Sequence, residues 1–371
     1  MQTTLRQYQR ELSRCRQRFE SINLQKEQGY LVKFTTFSAN MENIMPGIPR
    51  EQHERLFREL LLQQVFTTFD QEFLSAGELV QLRGGYRQAM RPGRPHIYCT
   101  YHLGSYRLLT SLLYRKGIDC VLLVGSQAHH QQGGSMQAHI DALRQQRGLT
   151  NSFRIVEAGN PAAVMTILRE LRAGKSLIVY VDGSPETAPT ENEADKYMLV
   201  HFGNRKLLTR KGVGFISHAA GVPIVPVISY RQANLSNVLH CLDPIRPDSS
   251  IDRETYSRQT MQQLYDSFWA YLNQYPGQWE GWNYIHSFLE PVKDKPAKLN
   301  ALPIRPAFNQ ERYSLCDLED APVLFDRRFY ETYEISTDLR DLLLDLDSVD
   351  SIEDTLGVEL FTELVDLEII C

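Results

Sequence analysis

The 371-residue chain is short of several features, each of which would mark a class of protein. Its six cysteines (Cys15, Cys99, Cys120, Cys241, Cys316, Cys371) form no CxxC pair and no zinc-type spacing, and several stand inside apolar runs. No disulfide framework and no metal site are implied, and the thiols read as reduced in a cytoplasmic protein. No run approaches the roughly eighteen apolar residues of a membrane helix, and MQTTLRQYQRELSRCRQRFE lacks the apolar centre of a signal peptide. Neither a span nor export is therefore expected. G-x-S-x-G, the strand-to-helix elbow of serine hydrolases, is missing. In GVGFISHAAG the third glycine has the wrong spacing and no ribose-binding acid is evident, so a dinucleotide site is not expected and no cofactor is implied.

What is present is enough hydrophobic residue, 42% of the chain, for a large core. The formal charge of −5 conceals an asymmetry: from Tyr313 to Cys371 there are 17 acids and 3 arginines, a net of −14, which leaves +9 on the rest. Arg6, Arg10, Arg14 and Arg18 recur at helical spacing. Such a stripe suits peripheral contact with anionic lipid or contact with nucleic acid, although the plainer reading is the solvated face of a helix. DNA is not an expected partner.

The first ninety residues read as a helical region broken at NIMPGIPR and MRPGRPH. Strand and helix then alternate: HIYCTYH, GSYRLLTSLLYRKG, DCVLLVG, a helix around SMQAHIDALRQQRG, FRIVEAG, PAAVMTILRELRAG, SLIVYVDG, KGVGFISHAAG and VPIVPVISYR. Short apolar strands between amphipathic helices predict an α/β domain over 91–290, with a mainly parallel sheet flanked by helices. Residues 291–311, rich in Pro and Lys, read as a linker. Residues 312–371 read as a small acidic α+β module. Within it, Ser351-x-x-Asp354 reads as a helix N-cap rather than a phosphopantetheine attachment site.

In such sheets chemistry gathers at the carboxyl ends of the strands, where His102 and Asp182 both fall. NRKLLTRKG sets Arg205, Lys206, Thr209, Arg210 and Lys211 before a helix start, a place that favours phosphate. AHHQQGGSMQAH gathers His129, His130 and His139, read as a polar loop rather than metal ligands, because no carboxylate completes a set.

These blocks in their order carry a resemblance. The strand ending in Asp182, Phe202-Gly203, Thr209 with its basic neighbours, GVPIVPV, and Pro276, Gln278, Trp279 and Trp282 in YPGQWEGWNYIH are together similar to the lipid A late acyltransferases of the lysophospholipid acyltransferase superfamily, over roughly residues 95–288. The resemblance implies that fold and a His-x4-acid pair in which the histidine is the base. Carried over, the histidine is His102, but the acid position is Arg107. An arginine cannot accept the Nδ1 proton and disfavours an imidazolium. Three arrangements remain open: Asp182, Glu186 or a backbone carbonyl orients His102; the acceptor is an amine needing little base help; or the site has lost catalysis. Arg107 then reads either as a helix-surface cation or as a contact for a substrate anion, with Ser105 and Glu186 as further substrate contacts.

The function this implies is acyl or aminoacyl transfer from an acyl-carrier-protein or CoA thioester, or from aminoacyl-tRNA, to a hydroxyl or amine of a small molecule or peptide. A non-catalytic binding or scaffold protein on the same fold is the rival that Arg107 favours.

Overall fold

The computed structural model describes residues 2–24, 27–72, 79–184, 186, 188–189, 195–291, 306–318, 321–348 and 351–371. Most of the expected linker, residues 292–305, lies outside them. The chain divides into two compact units, one formed by Met1–Ser21 and Arg55–Leu289, the other by Ile22–Glu54 and Glu290–Cys371.

The chain begins with helices α1 (Gln2–Glu20), α2 (Gln28–Ile44) and α3 (His53–Glu72), followed by strand β1 (Val80–Gly84) and a short α4 (Tyr86–Ala89). It continues through β2 (Ile97–Thr100), α5 (Leu108–Arg115), β3 (Cys120–Val124), α6 (Ser126–Arg147), β4 (Phe153–Glu157), α7 (Ala163–Arg172) and β5 (Ser176–Tyr180). A hairpin of β6 (Tyr197–Phe202) and β7 (Arg205–Arg210) leads to α8 (Gly212–Ala220), β8 (Ile224–Arg231), β9 (Asn237–Cys241) and α9 (Arg253–Leu272).

The larger unit is an α/β fold around a seven-stranded sheet of order β1-β9-β8-β2-β5-β3-β4. Strands β8, β2, β5, β3 and β4 run parallel, and β9 is antiparallel to β8. Burial explains the arrangement. All four residues of β2 and all eight of β8 are buried, as central strands covered on both faces must be. Tyr98, Leu109, Leu113, Leu122, Ile178 and Val225 form the packed core between sheet and helices.

Two sequence expectations change here. The helical region 1–90 includes a strand, β1, which pairs parallel with β9; at a sheet edge a five-residue run with alternating burial suffices, and helical periodicity has no purchase on it. The segment with His129, His130 and His139 is helical, because α6 starts at Ser126 and runs through Gly133-Gly134. Its packing offsets the cost of two mid-helix glycines, with Ile140 and Leu143 buried against Tyr114.

In the smaller unit, β10 (Tyr313–Leu318), β11 (Ala321–Asp326) and β12 (Glu331–Glu334) form an antiparallel sheet, followed by α10 (Thr337–Leu344), α11 (Ile352–Leu356) and α12 (Val358–Asp366). Ser351 caps α11 by accepting from the Asp354 amide. The module is not self-contained at 312. Arg327 donates to Ser38 and pairs with Glu42, and Asn43 donates to the Arg327 carbonyl, so α2 belongs to this unit. No described helix is long and apolar enough to cross a membrane.

Candidate active site

The sheet register builds the site. Thr100 of β2 lies opposite Tyr180 of β5, and Val181 N–H donates to the Thr100 carbonyl at 3.0 Å. Two residues beyond each member of the pair come His102 and Asp182, facing one another off the carboxyl ends of adjacent parallel strands. His102 Nδ1 is 2.9 Å from Asp182 Oδ1. Asp182 Oδ2 accepts the His102 backbone N–H at 2.8 Å and the Trp279 indole N–H at 2.7 Å. The carboxylate is fully buried and its charge is met by three donors; the imidazole keeps 19% exposure.

With Nδ1 occupied, His102 Nε2 has no hydrogen-bond partner among the described residues, and the ring borders a cavity of ≈ 510 Å³. The ring itself is gripped: it stacks on Tyr180 at 4.8 Å and meets the Tyr106 ring edge-on at 4.8 Å. Burial works against the imidazolium, but attraction to Asp182, the hydrogen bond to it and the charge of Glu280 outweigh that and Arg107's repulsion, so the His102 pKa is held above its ordinary value.

The loop after His102 is fixed from below. Gly104 has φ +58°, and a Cβ there would come within 2.7 Å of the Tyr230 backbone. Its carbonyl accepts from Thr67 at 3.0 Å. Under it, Arg231 pairs with Asp70, which also accepts from Tyr8 and Asn237. A second chain segment clamps the loop from the other side: Gly104 N–H donates to the Gln278 carbonyl at 3.0 Å and Glu280 N–H to the His102 carbonyl at 2.9 Å.

The remaining expected residues are distributed unevenly. Arg107 lines the cavity but turns away from Nδ1, with one Nη donating to Gln71 at 2.9 Å and the other to Gln132 at 3.1 Å. It makes no ion pair among the described residues, and its buried Nε has no partner. Thr209 and Arg210 line the cavity; Thr209 accepts from Tyr265 at 3.1 Å and Arg210 donates to Tyr197 at 3.1 Å. Glu186 also lines it, with its carboxylate on the Gln127 amide at the start of α6, in space that a side chain at Gly125 would fill.

Two placements correct the sequence expectations. Ser105 is not on the cavity wall: its hydroxyl is fully buried and accepts from Arg231 at 2.8 Å and Gln63 at 3.2 Å. Nor do the four cations of NRKLLTRKG converge at a helix start. Arg205, Lys206 and Arg210 lie along extended β7, where the rise of about 3.3 Å per residue separates Arg205 and Lys206 from Gly212, and only Lys211 stands at the N-cap of α8. Lys211 lies 3.4 Å from Glu254, and neither it nor Arg205 nor Lys206 borders the cavity.

Sequence reasoning overlooked Glu280, which lines the cavity beside His102 and accepts from the Tyr106 hydroxyl at 3.1 Å. The available signal was an acid between two tryptophans in WEGW, where an ordinary core segment has no use for one. Burial raises its carboxyl above the usual range, against the pull of His102 and Arg107. Among the described residues no group of three or more His, Cys, Asp or Glu side chains is arranged to hold a metal ion.

No protein-family description matches the chain, and no curated protein matches it. Among solved structures, it is similar to the 1-acyl-sn-glycerophosphate (LPA) acyltransferase PlsC from Thermotoga maritima at 16% identity and a TM-score of 0.31, over 65% of this chain and 96% of that one. So distant a likeness assigns no activity by itself, and the chemistry rests on the site: a mainly parallel α/β fold with a histidine, oriented by a buried aspartate, facing a cavity.

Proposed function

We propose that the protein is an acyltransferase of the general kind that the ordered sequence blocks suggest, resembling the lipid A late acyltransferases, with His102 as base and Asp182 as its orienting acid. The observation that carries this reading is the 2.9 Å contact between His102 Nδ1 and Asp182 Oδ1 beside a cavity of ≈ 510 Å³. It supplies from β5 the carboxylate that Arg107 does not. A histidine so held has one tautomer, with Nε2 ready to accept a proton from a nucleophile and return it to a leaving group.

The cavity walls suit an acyl group. Met136, Ile167, Val213, Ile216 and Phe288 give an apolar surface, and polar groups gather near His102. The acceptor's nucleophilic atom attacks the donor carbonyl carbon as its proton passes to Nε2. The tetrahedral intermediate then expels the thiol or hydroxyl of the donor, which receives that proton. Arg107 makes no direct ion pair among the described residues and its buried Nε has no partner, which suits an anionic portion of a substrate. The donor is a thioester of a carrier protein or CoA, or an aminoacyl-tRNA ester.

The test is incubation of the purified protein with panels of these donors and with pooled hydroxyl and amine acceptors, read by mass spectrometry. Transfer by the wild type and its loss in His102→Ala is the expected result. Transfer that survives in His102→Ala, or none by the wild type with any donor, overturns the reading.

A further inference from the structure

The cavity holds a second carboxyl that the histidine–aspartate pair leaves unused. Glu280 Oε2 takes the Tyr106 hydroxyl, but Oε1 has no hydrogen-bond partner among the described residues, and no cation there stands within ion-pair distance of either oxygen. Arg107, on the same wall, is tied by both Nη atoms to Gln71 and Gln132 instead. The nearby surface is aromatic: Tyr106 and Tyr180 meet edge-on at 5.3 Å, and Tyr180 carries the His102 ring. A recessed carboxyl that makes no ion pair of its own, set beside aromatic rings, matches an ammonium group, which gains the charge pair in a largely desolvated place.

The chemistry of transfer gives this carboxyl a task. An alcohol acceptor releases one proton, which a single histidine carries to the leaving group. An ammonium must release two.

Building on the acyl-transfer reading above, we propose that Glu280 docks the primary ammonium group of the acceptor and takes up one of its two departing protons, so that the product is an amide. The ammonium nitrogen first gives a proton to His102 Nε2 and becomes a nucleophile. Its lone pair forms the C–N bond at the donor carbonyl, which leaves a cationic nitrogen and an oxyanion. The nitrogen then loses its second proton to the Glu280 carboxylate. The intermediate collapses with cleavage of the carbon–sulfur or carbon–oxygen bond, the imidazolium protonates the leaving atom, and Glu280 returns its proton to solvent. One N–H remains in the amide and no further reagent is required.

Binding and transfer are measured separately, so that this inference and the acyl-transfer reading fail independently. In the binding arm, n-hexylamine and n-hexanol are titrated into the full-length protein and followed by ligand-observed NMR. The wild type should prefer the amine by roughly 10-fold or more, as a hydrogen bond to a charged group commonly gives, and Glu280→Gln should lose that preference. Equal binding of amine and alcohol, or no binding of the amine, overturns the proposal on the wild type alone, whatever the variant's folding. In the transfer arm, amides should form in preference to esters across the pooled acceptors. Ester products that exceed amides also overturn it, as does a Glu280→Gln defect seen only with donors that carry an amino group, because the carboxyl would then serve the donor. Absence of any transfer, with the amine preference intact, overturns the acyl-transfer reading and leaves the ammonium site standing.

Discussion

Trp279 and His102 share one carboxylate: the indole N–H donates to Asp182 Oδ2 at 2.7 Å, and the imidazole Nδ1 meets Oδ1 at 2.9 Å. The acid is thus held in place by an aromatic residue from a distant segment while it orients the base, and each partner can be removed separately.

Removing the acid's charge should change both the rate and its pH dependence. His102 titrates above its ordinary value because Asp182 and Glu280 outweigh burial and Arg107. Only the neutral imidazole accepts a proton, so transfer should rise with pH through an apparent pKa above the usual ~6.5. Asp182→Asn should move that pKa downward, since burial then prevails, and lower the plateau by roughly 100-fold or more. A pH–rate profile unchanged by the substitution contradicts the assignment.

Trp279→Phe keeps most of the packing volume but withdraws a donor from a fully buried carboxylate. Unfolding in urea should show a loss of about 1–3 kcal/mol, accompanied by reduced transfer. A stability equal to wild type would mean that Asp182 finds another donor.

Arg107→Glu should not build a new acid–histidine pair, because Nδ1 already has Asp182 and the residue 107 side chain points toward Gln71 and Gln132. The expected outcome is a higher KM for an anionic substrate with no gain in kcat. Increased kcat would show that residue 107 reaches the histidine.

The Arg231–Asp70 pair lies below the loop that carries His102, and both side chains are almost wholly buried. Asp70→Asn leaves a buried guanidinium without its counter-charge, and should cost about 3–5 kcal/mol in denaturant unfolding. Gly104→Ala acts on the same loop through its backbone, since φ +58° disfavours a side chain and Tyr230 occupies the space. It should be destabilising even though it adds one methyl group.

The sequence makes the parallel sheet legible because β2, β3, β5 and β8 are short apolar runs between amphipathic helices, and His102 and Asp182 stand visibly at strand ends. That these two ends are neighbours is not legible. It depends on β5 inserting between β2 and β3, an order that no local pattern encodes. The β6–β7 hairpin and the edge strand β1 also escape, as their partners rather than their own periodicity define them. Ser105 shows the converse difficulty: a hydroxyl three residues after the histidine is as suited to a substrate as to Arg231, and only burial separates the two.

The pairing of His102–Gly104 with Gln278–Glu280 also sets a timetable for assembly. The two segments lie more than 170 positions apart, and Tyr284, whose hydroxyl donates to the Gly183 carbonyl, comes later still. Closing so long a loop costs entropy that must be spent before the contact returns anything. During synthesis the five parallel strands are all available by Arg231, whereas the segment that fixes the acid and carries Glu280 emerges some fifty residues afterwards. A growing chain therefore has its sheet before it has its chemistry, and its reactive histidine remains uncoupled from a complete site until the end of the larger unit has left the ribosome.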